Sequence, residues 1–257
     1  MSKGTFRRSK WRVQTLSAKN VVDELEVGIV GSLDWHVQSD DFDDFYRGPA
    51  TQAGTAVTDS DLYGSSGAAG TIADGATTEA LHGAVKITTG ATANNDIYLW
   101  TLKQTVKFIA GKKASFKARV KVTEGNTDDA IVVVGLSDTT AADFMLNTTG
   151  GPAASYDGAV FYKVSSSSAW QAETSEATNQ ATDTNAGTLV SATWQTLELH
   201  WDGKGFVTFY VDGKEGARLA IATASALEEM NVIMGLKAGS NNAEVMLVDY
   251  WEVAQER

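Results

Sequence analysis

The stretch Trp194-Gln195-Thr196-Leu197-Glu198-Leu199-His200-Trp201-Asp202-Gly203-Lys204-Gly205-Phe206-Val207-Thr208-Phe209-Tyr210-Val211-Asp212-Gly213 decides the fold class. Leu197, Leu199 and Trp201 alternate with Glu198 and His200, and Val207, Phe209 and Val211 alternate with Thr208 and Tyr210. A period of two sends apolar side chains to one face and polar ones to the other, the pattern of a half-buried strand. Asp202-Gly203 separates the two runs and Asp212-Gly213 follows the second, and both suit tight turns whose central residues take positive φ. The stretch therefore predicts a hairpin leading into a further strand.

The same period recurs outward from this point. Ala114, Phe116, Ala118, Val120 and Val122 alternate with Ser115, Lys117, Arg119 and Lys121, and shorter alternations occur at Val85/Ile87, Val106/Phe108, Val232/Met234/Leu236 and Val245/Leu247/Asp249/Trp251. Many short strands punctuated by turn signals predict an all-β protein, an antiparallel β-sandwich. Helix is scarce: residues 139–147 and 223–231 are each long enough for a turn or two but not for a layer. Residues 48–83, rich in Ala, Gly, Thr and Ser, read as loop with one or two short edge strands. Residues 165–187, polar around the single Trp170, read as a surface loop, and long surface loops often carry binding.

The chain has 257 residues, enough for one large sandwich. Its 24 Gly against 2 Pro fit many tight turns. With 21 Lys and Arg against 32 Asp and Glu the net charge is -11, which disfavours a general nucleic-acid-binding surface. The absence of Cys excludes disulfides, thiolate zinc sites and cysteine nucleophiles. The opening MSKGTFRRSKWRV is not followed by an apolar signal-peptide core. Apolar runs such as Ile131-Val132-Val133-Val134 fall far short of the roughly 18 residues a membrane span needs. Synthesis in the cytoplasm and no membrane partner are expected.

Charge is unevenly placed. Lys3, Arg7, Arg8, Lys10 and Arg12, with Trp11 among them, form a basic arm, while residues 21–44 hold many Asp and Glu and no Lys or Arg. The two segments are complementary and can pair within or between subunits; the alternative reading is a frayed N-terminus beside a solvated acidic face. An arm over residues 1–39 and a sandwich over residues 40–257 are expected.

Linear signatures of catalysis are missing. There is no Glu-x-Asp-x-x-Glu run of the kind β-sandwich glycosidases of the laminarinase type carry, and no Gly-x-Ser-x-Gly elbow. His36, His82 and His200 lack metal-ligand spacing, and His200 reads as a surface residue opposite the core face. No phosphate-cradling glycine loop occurs. A protein that is not an enzyme, with no cofactor, is expected. Calcium needs no linear signature, and Asp41 and Asp43 of the Asp40-Asp41-Phe42-Asp43-Asp44 cluster are its candidates, against a plain solvated acidic patch. Trp194, Trp201 and Trp251 lie in alternating strands and read as core, whereas Trp170 reads as a contact for a ligand or partner.

The strand ending Trp201-Asp202-Gly203, the strand ending Tyr210-Val211-Asp212-Gly213 and the closing Val245-Met246-Leu247-Val248-Asp249-Tyr250-Trp251-Glu252-Val253 together resemble the concanavalin A-like, laminin-G-like jelly roll. Asp41-Phe42-Asp43-Asp44-Phe45, residues 83–96, residues 116–122 and Val134-Gly135-Leu136-Ser137-Asp138 look more narrowly like concanavalin A-like virion proteins of tailed bacteriophages, of the capsid decoration or cement type. That resemblance implies a structural protein on the outer capsid surface, made in the host cytoplasm. Its partners would be the major capsid protein, met through Lys3, Arg7, Arg8, Lys10, Trp11 and Arg12, and further copies of itself in a trimer. The alternative is a carbohydrate-binding module of a tail fibre or adhesin, with Trp170 contacting the glycan.

Overall fold

The computed structural model describes residues 37–43, 52–53, 63–67, 69–74, 84–104, 106–147, 150–221 and 227–256; of 37–43, 52–53, 63–66 and 74 it describes the backbone. The basic arm, Lys3 to Arg12, lies outside the described residues. In chain order the strands are β1 (Val37–Asp43), β2 (Gln52–Ala53), β3 (Tyr63–Ser66), β4 (Gly70–Asp74), β5 (Val85–Thr89), β6 (Asp96–Thr101), β7 (Ala114–Thr123) and β8 (Ile131–Ser137). They continue with β9 (Gly158–Lys163), β10 (Ala169–Glu176), β11 (Asn179–Thr188), β12 (Thr193–Trp201), β13 (Phe206–Val211), β14 (Lys214–Ala220), β15 (Asn231–Lys237) and β16 (Val245–Glu256). Among the described residues there is no helix.

The strands form two antiparallel sheets, one of nine strands in the order β14-β13-β12-β7-β16-β5-β4-β2 with β1 also paired to β16, the other of seven in the order β11-β10-β9-β8-β15-β6-β3. The expected β-sandwich is the observed one, and the Gly- and Ala-rich segment supplies the short strands β2, β3 and β4 near the sheet edges. The Trp194–Gly213 hairpin forms as read, with Leu197 opposite Val211 and Trp201 opposite Val207. Gly203 and Gly213 take φ of +74° and +75°, as their turns require.

The core lies between the sheets. Ala114, Phe116, Ala118, Val120 and Val122 of β7 meet Leu197, Leu199 and Trp201 of β12 and Met246, Val248, Trp251 and Val253 of β16 in one buried cluster with the inner faces of β8, β9 and β15. Trp201 stacks on Phe108 at 5.3 Å and donates its indole N–H to the Ile109 carbonyl at 3.1 Å. On the far side of the seven-stranded sheet the chain between β8 and β9 folds back as a cover: Phe144, Met145 and Tyr156 bury Tyr98, Ile131, Val133, Val160 and Ile233 in a second cluster. That is why β8, β9 and β15 are buried along their whole length rather than alternately.

Several sequence expectations change. Residues 139–147 form turns of the cover, not helix, and Val106 makes an isolated bridge to Met230 rather than a strand. Residues 165–187 are not a loop: they are the hairpin β10–β11, closed by a turn at residues 177–178. Trp170 is consequently not a surface contact. It is fully buried, donates its indole N–H to Gln195 Oε1 at 3.1 Å and meets Phe161 edge-on at 6.3 Å. A polar sequence around a lone Trp is here the outer edge of a sheet whose inner face holds the ring. Trp194 departs the other way: it is half-exposed on the outer face of the nine-stranded sheet, while Trp201 and Trp251 are core as expected.

Truncation of Trp170 to Ala removes a buried ring and its hydrogen bond, so urea denaturation should show a loss of about 3–5 kcal/mol of stability. A Trp170→Ala protein with the wild-type midpoint would refute the core placement.

Candidate functional site

The polar halves of the alternating strands converge on the outer face of the nine-stranded sheet. Register fixes the arrangement: Lys117 lies opposite Glu198 on one side and Glu252 on the other, and Glu198 lies opposite Tyr210. One row therefore runs Glu252, Lys117, Glu198, Tyr210 across four neighbouring strands. The next holds Tyr250, Arg119 and Thr196, the one beyond it Leu247, Lys121 and Trp194, and the row on the other side Ala254, Ser115, His200 and Thr208. Directly opposite residues stand about 4.5–5.5 Å apart at Cβ, so neighbours in a row are in contact range.

A register shift between Val248 and Tyr250 inserts Asp249 into β16 and brings its carboxylate onto the Arg119 guanidinium. Arg119 in turn lies 4.6 Å from the Trp194 ring centroid, and the Lys121 ammonium lies 5.1 Å from it. This half-exposed indole is thus held by two cations.

The middle of the face is less exposed. Glu198 is 5 % exposed; its Oε1 accepts the Lys117 ammonium at 3.0 Å, and its Oε2 lies 3.7 Å from His200 Nε2. His200 Nε2 is itself buried and makes no hydrogen bond, while its ring leans on Tyr210 with centroids 5.1 Å apart. His200 is on the outer face as expected, and it is packed there rather than solvated. Burial pushes the Glu198 carboxyl upward, but His200 and Lys117 together outweigh it and hold the group below its ordinary value. Burial pushes Lys117 down, and the facing Glu198, with Tyr250 and Glu252, reverses this and raises it. Burial raises the Tyr250 phenol. An ionised carboxylate, an ammonium, an imidazole and two phenols on adjoining strands can donate and accept hydrogen bonds to a polar ligand and can exchange protons with it.

Of the residues singled out in the sequence, His200 belongs to this face and Trp170 does not. Asp41 and Asp43 lie on β1 opposite Val253 and Trp251, and their side chains are outside the described residues. Among the described residues no three His, Asp or Glu side chains are grouped to hold a metal ion. Lys117, Arg119, Lys121, Trp194, Glu198, Tyr210 and Tyr250 were not anticipated as a site. The available signal was the cationic polar row Lys117-x-Arg119-x-Lys121, whose partners only strand pairing reveals.

No protein-family model matches the chain, and no curated protein matches it. Solved structures do. An endo-1,3-beta-glucanase from Streptomyces sioyaensis superposes with a TM-score of 0.55 at 16 % identity, covering 86 % of this chain and 96 % of its own. The Emp47p carbohydrate recognition domain gives 0.52 at 10 % identity, covering 85 % of this chain and 96 % of that one. An endo-beta-1,4-glucuronan lyase from the fungus Trichoderma reesei gives 0.52 at 12 % identity, covering 80 % and 94 %. These likenesses establish the fold, a concanavalin A-like jelly roll. The narrower likeness to capsid decoration proteins is not established by them. They also overturn the expectation that the chain is not an enzyme: the fold is shared with a glucanase and a lyase, so a missing linear acid motif does not decide the matter.

Replacing Lys117 by Met leaves Glu198 buried without its ammonium. Because the Glu198 value is lowered in the folded protein, its contribution is present above the ordinary carboxylate range and is lost as pH falls through the folded value. Lys117→Met should therefore cost roughly 1–3 kcal/mol near neutrality and shrink the stability difference between pH 7 and pH 3, measured by urea unfolding at both.

Proposed function

We propose that the chain handles carbohydrate, and that a glycan chain lies on the outer face of the nine-stranded sheet. The observation that carries this reading is the four-strand row Glu252, Lys117, Glu198, Tyr210, flanked by His200 and by Trp194. Sugars present hydroxyls at their edges and C–H groups on their faces, and this surface offers charged and phenolic hydrogen-bonding groups beside aromatic rings. The ligand class finds support in the company the fold keeps, a glucanase, a glucuronan lyase and a carbohydrate recognition domain by name. The alternative contact at Trp170 is replaced by this face, because the Trp170 ring is enclosed. The capsid role implied by the narrower resemblance draws on the arm, and no described residue adds to it.

Affinity electrophoresis against a panel that includes β-1,3-glucan and β-1,4-glucuronan tests the reading, with assay of new reducing ends in the same mixtures to separate binding from cleavage. The wild type should be retarded by at least one polysaccharide. His200→Ala and Trp194→Ala should each weaken that retardation about tenfold, close to 1.4 kcal/mol, with thermal midpoints near wild type. Retardation that survives both substitutions would move the site elsewhere.

A further inference from the structure

Glu244 precedes β16 and is fully enclosed. Its main chain exchanges two hydrogen bonds with Thr89: the Glu244 N–H donates to Thr89 Oγ1 at 2.9 Å, and its carbonyl accepts the Thr89 N–H at 3.0 Å. Oε2 accepts the Gly125 N–H at 2.8 Å, whereas Oε1 has no partner. Two further carboxylates face it from the loop of residues 124–130, Glu124 and Asp129, and one ammonium faces it from β9, that of Lys163. That ammonium is already engaged, 2.7 Å from Glu124 Oε1 and 2.8 Å from the Ala130 carbonyl. Asp129 is held by the Ser240 hydroxyl and the Asn126 amide. Thr89, Ser240 and Asn242 bring no charge. An ionised Glu244 would thus set three carboxylates against one ammonium, with one of its own oxygens buried and accepting from nothing.

We propose that Glu244 is a proton-operated latch: protonated, it clasps the loop of residues 124–130 to the loop of residues 238–244, and ionised, it loosens them. The clasp is the Gly125 bond, which ionisation by itself would strengthen; the driving force for opening is the burial of a charge beside Glu124 and Asp129, whose one facing ammonium, Lys163, is already taken by Glu124. Burial, with Glu124 and Asp129, lifts the carboxyl from 4.5 to about 7 against the opposing pull of the Gly125 N–H and Lys163. For a raised carboxyl the stabilisation is complete below the unfolded value and is lost as pH rises through the folded one, a window from about 4.5 to about 7. Within that window the opening constant grows up to about tenfold per pH unit. The latch adjoins the row that holds Lys121 and Trp194, since Val245 pairs with Thr123 and Leu247 with Lys121.

The test needs two readouts. Carboxyl NMR of the wild-type protein should show Glu244 titrating near neutrality, with the Gly125 amide moving in step; titration in the ordinary carboxylate range would overturn the latch. Thermal midpoints from pH 5 to pH 8.5 should then fall less steeply in Glu244→Gln than in wild type, with the variant ahead at pH 8. Equal slopes would overturn it too. A wild-type midpoint at pH 8 that rises with added calcium, and ceases to do so in Glu244→Gln, would reassign the pocket to a cation.

Discussion

The alternation of β7 between an apolar inner row and a cationic outer row is the constraint on which both the core and the outer face rest. Ala114, Ala118 and Val120 are small enough to let the second sheet approach, and Phe116 fills the space between them. The same backbone presents Lys117 and Arg119 outward between β12 and β16, its neighbours on either side. A one-residue slip would put lysines into the core and phenylalanine into water, so packing of the interior enforces the order of charges outside. The face is in this sense a by-product of register, held by roughly the burial energy of the whole sheet rather than by its own ion pairs.

Buried charge is used differently in the two sheets. On the nine-stranded sheet Lys117 and Glu198 sit at the solvent boundary, where an ion pair can be rearranged by a ligand at modest cost. In the seven-stranded sheet Lys163 and Lys237 are fully enclosed, and each ties a loop down: Lys163 through Glu124 and the Ala130 carbonyl, Lys237 through Asp143 and the Met145 carbonyl. Removing one partner from such a site leaves a stranded charge, which makes these pairs devices for fixing loop position. They hold the ends and the cover of the sandwich while the opposite face stays open.

The strands were legible wherever one side of a strand meets core and the other meets water, because only there does burial imprint a period of two. β7 and β13 are such strands and read correctly residue by residue, as does β12 from Leu197 to Trp201. β10 and β11 did not, since the outer edge strand is exposed along most of its length and carries Thr, Asn and Gln where a loop would. The cover was illegible for the opposite reason: its apolar residues Phe144, Met145 and Tyr156 follow no period, being set by the shape of the sheet beneath. Of the candidate site, His200 was placed on the right face, but Trp194 and Trp170 exchanged roles. Parity along β12 places Trp194 on the side of Thr196, Glu198 and His200, opposite Leu197, Leu199 and Trp201, whereas Trp170 stands among polar residues with no apolar row to set its side.

Phe116 lies opposite Leu199 on one side and Val253 on the other. The middle strand of the larger sheet thus acquires one neighbour when β12 emerges and the second only when β16 follows, more than forty residues later. Until then its edge, and the apolar row behind it, have no native partner. Synthesis consequently passes through a long interval in which a half-assembled sheet is exposed to foreign strands, and escape from that interval waits for β16. A translation pause or truncation near β16 would therefore be felt as aggregation of the nascent chain rather than as a weakened but folded product.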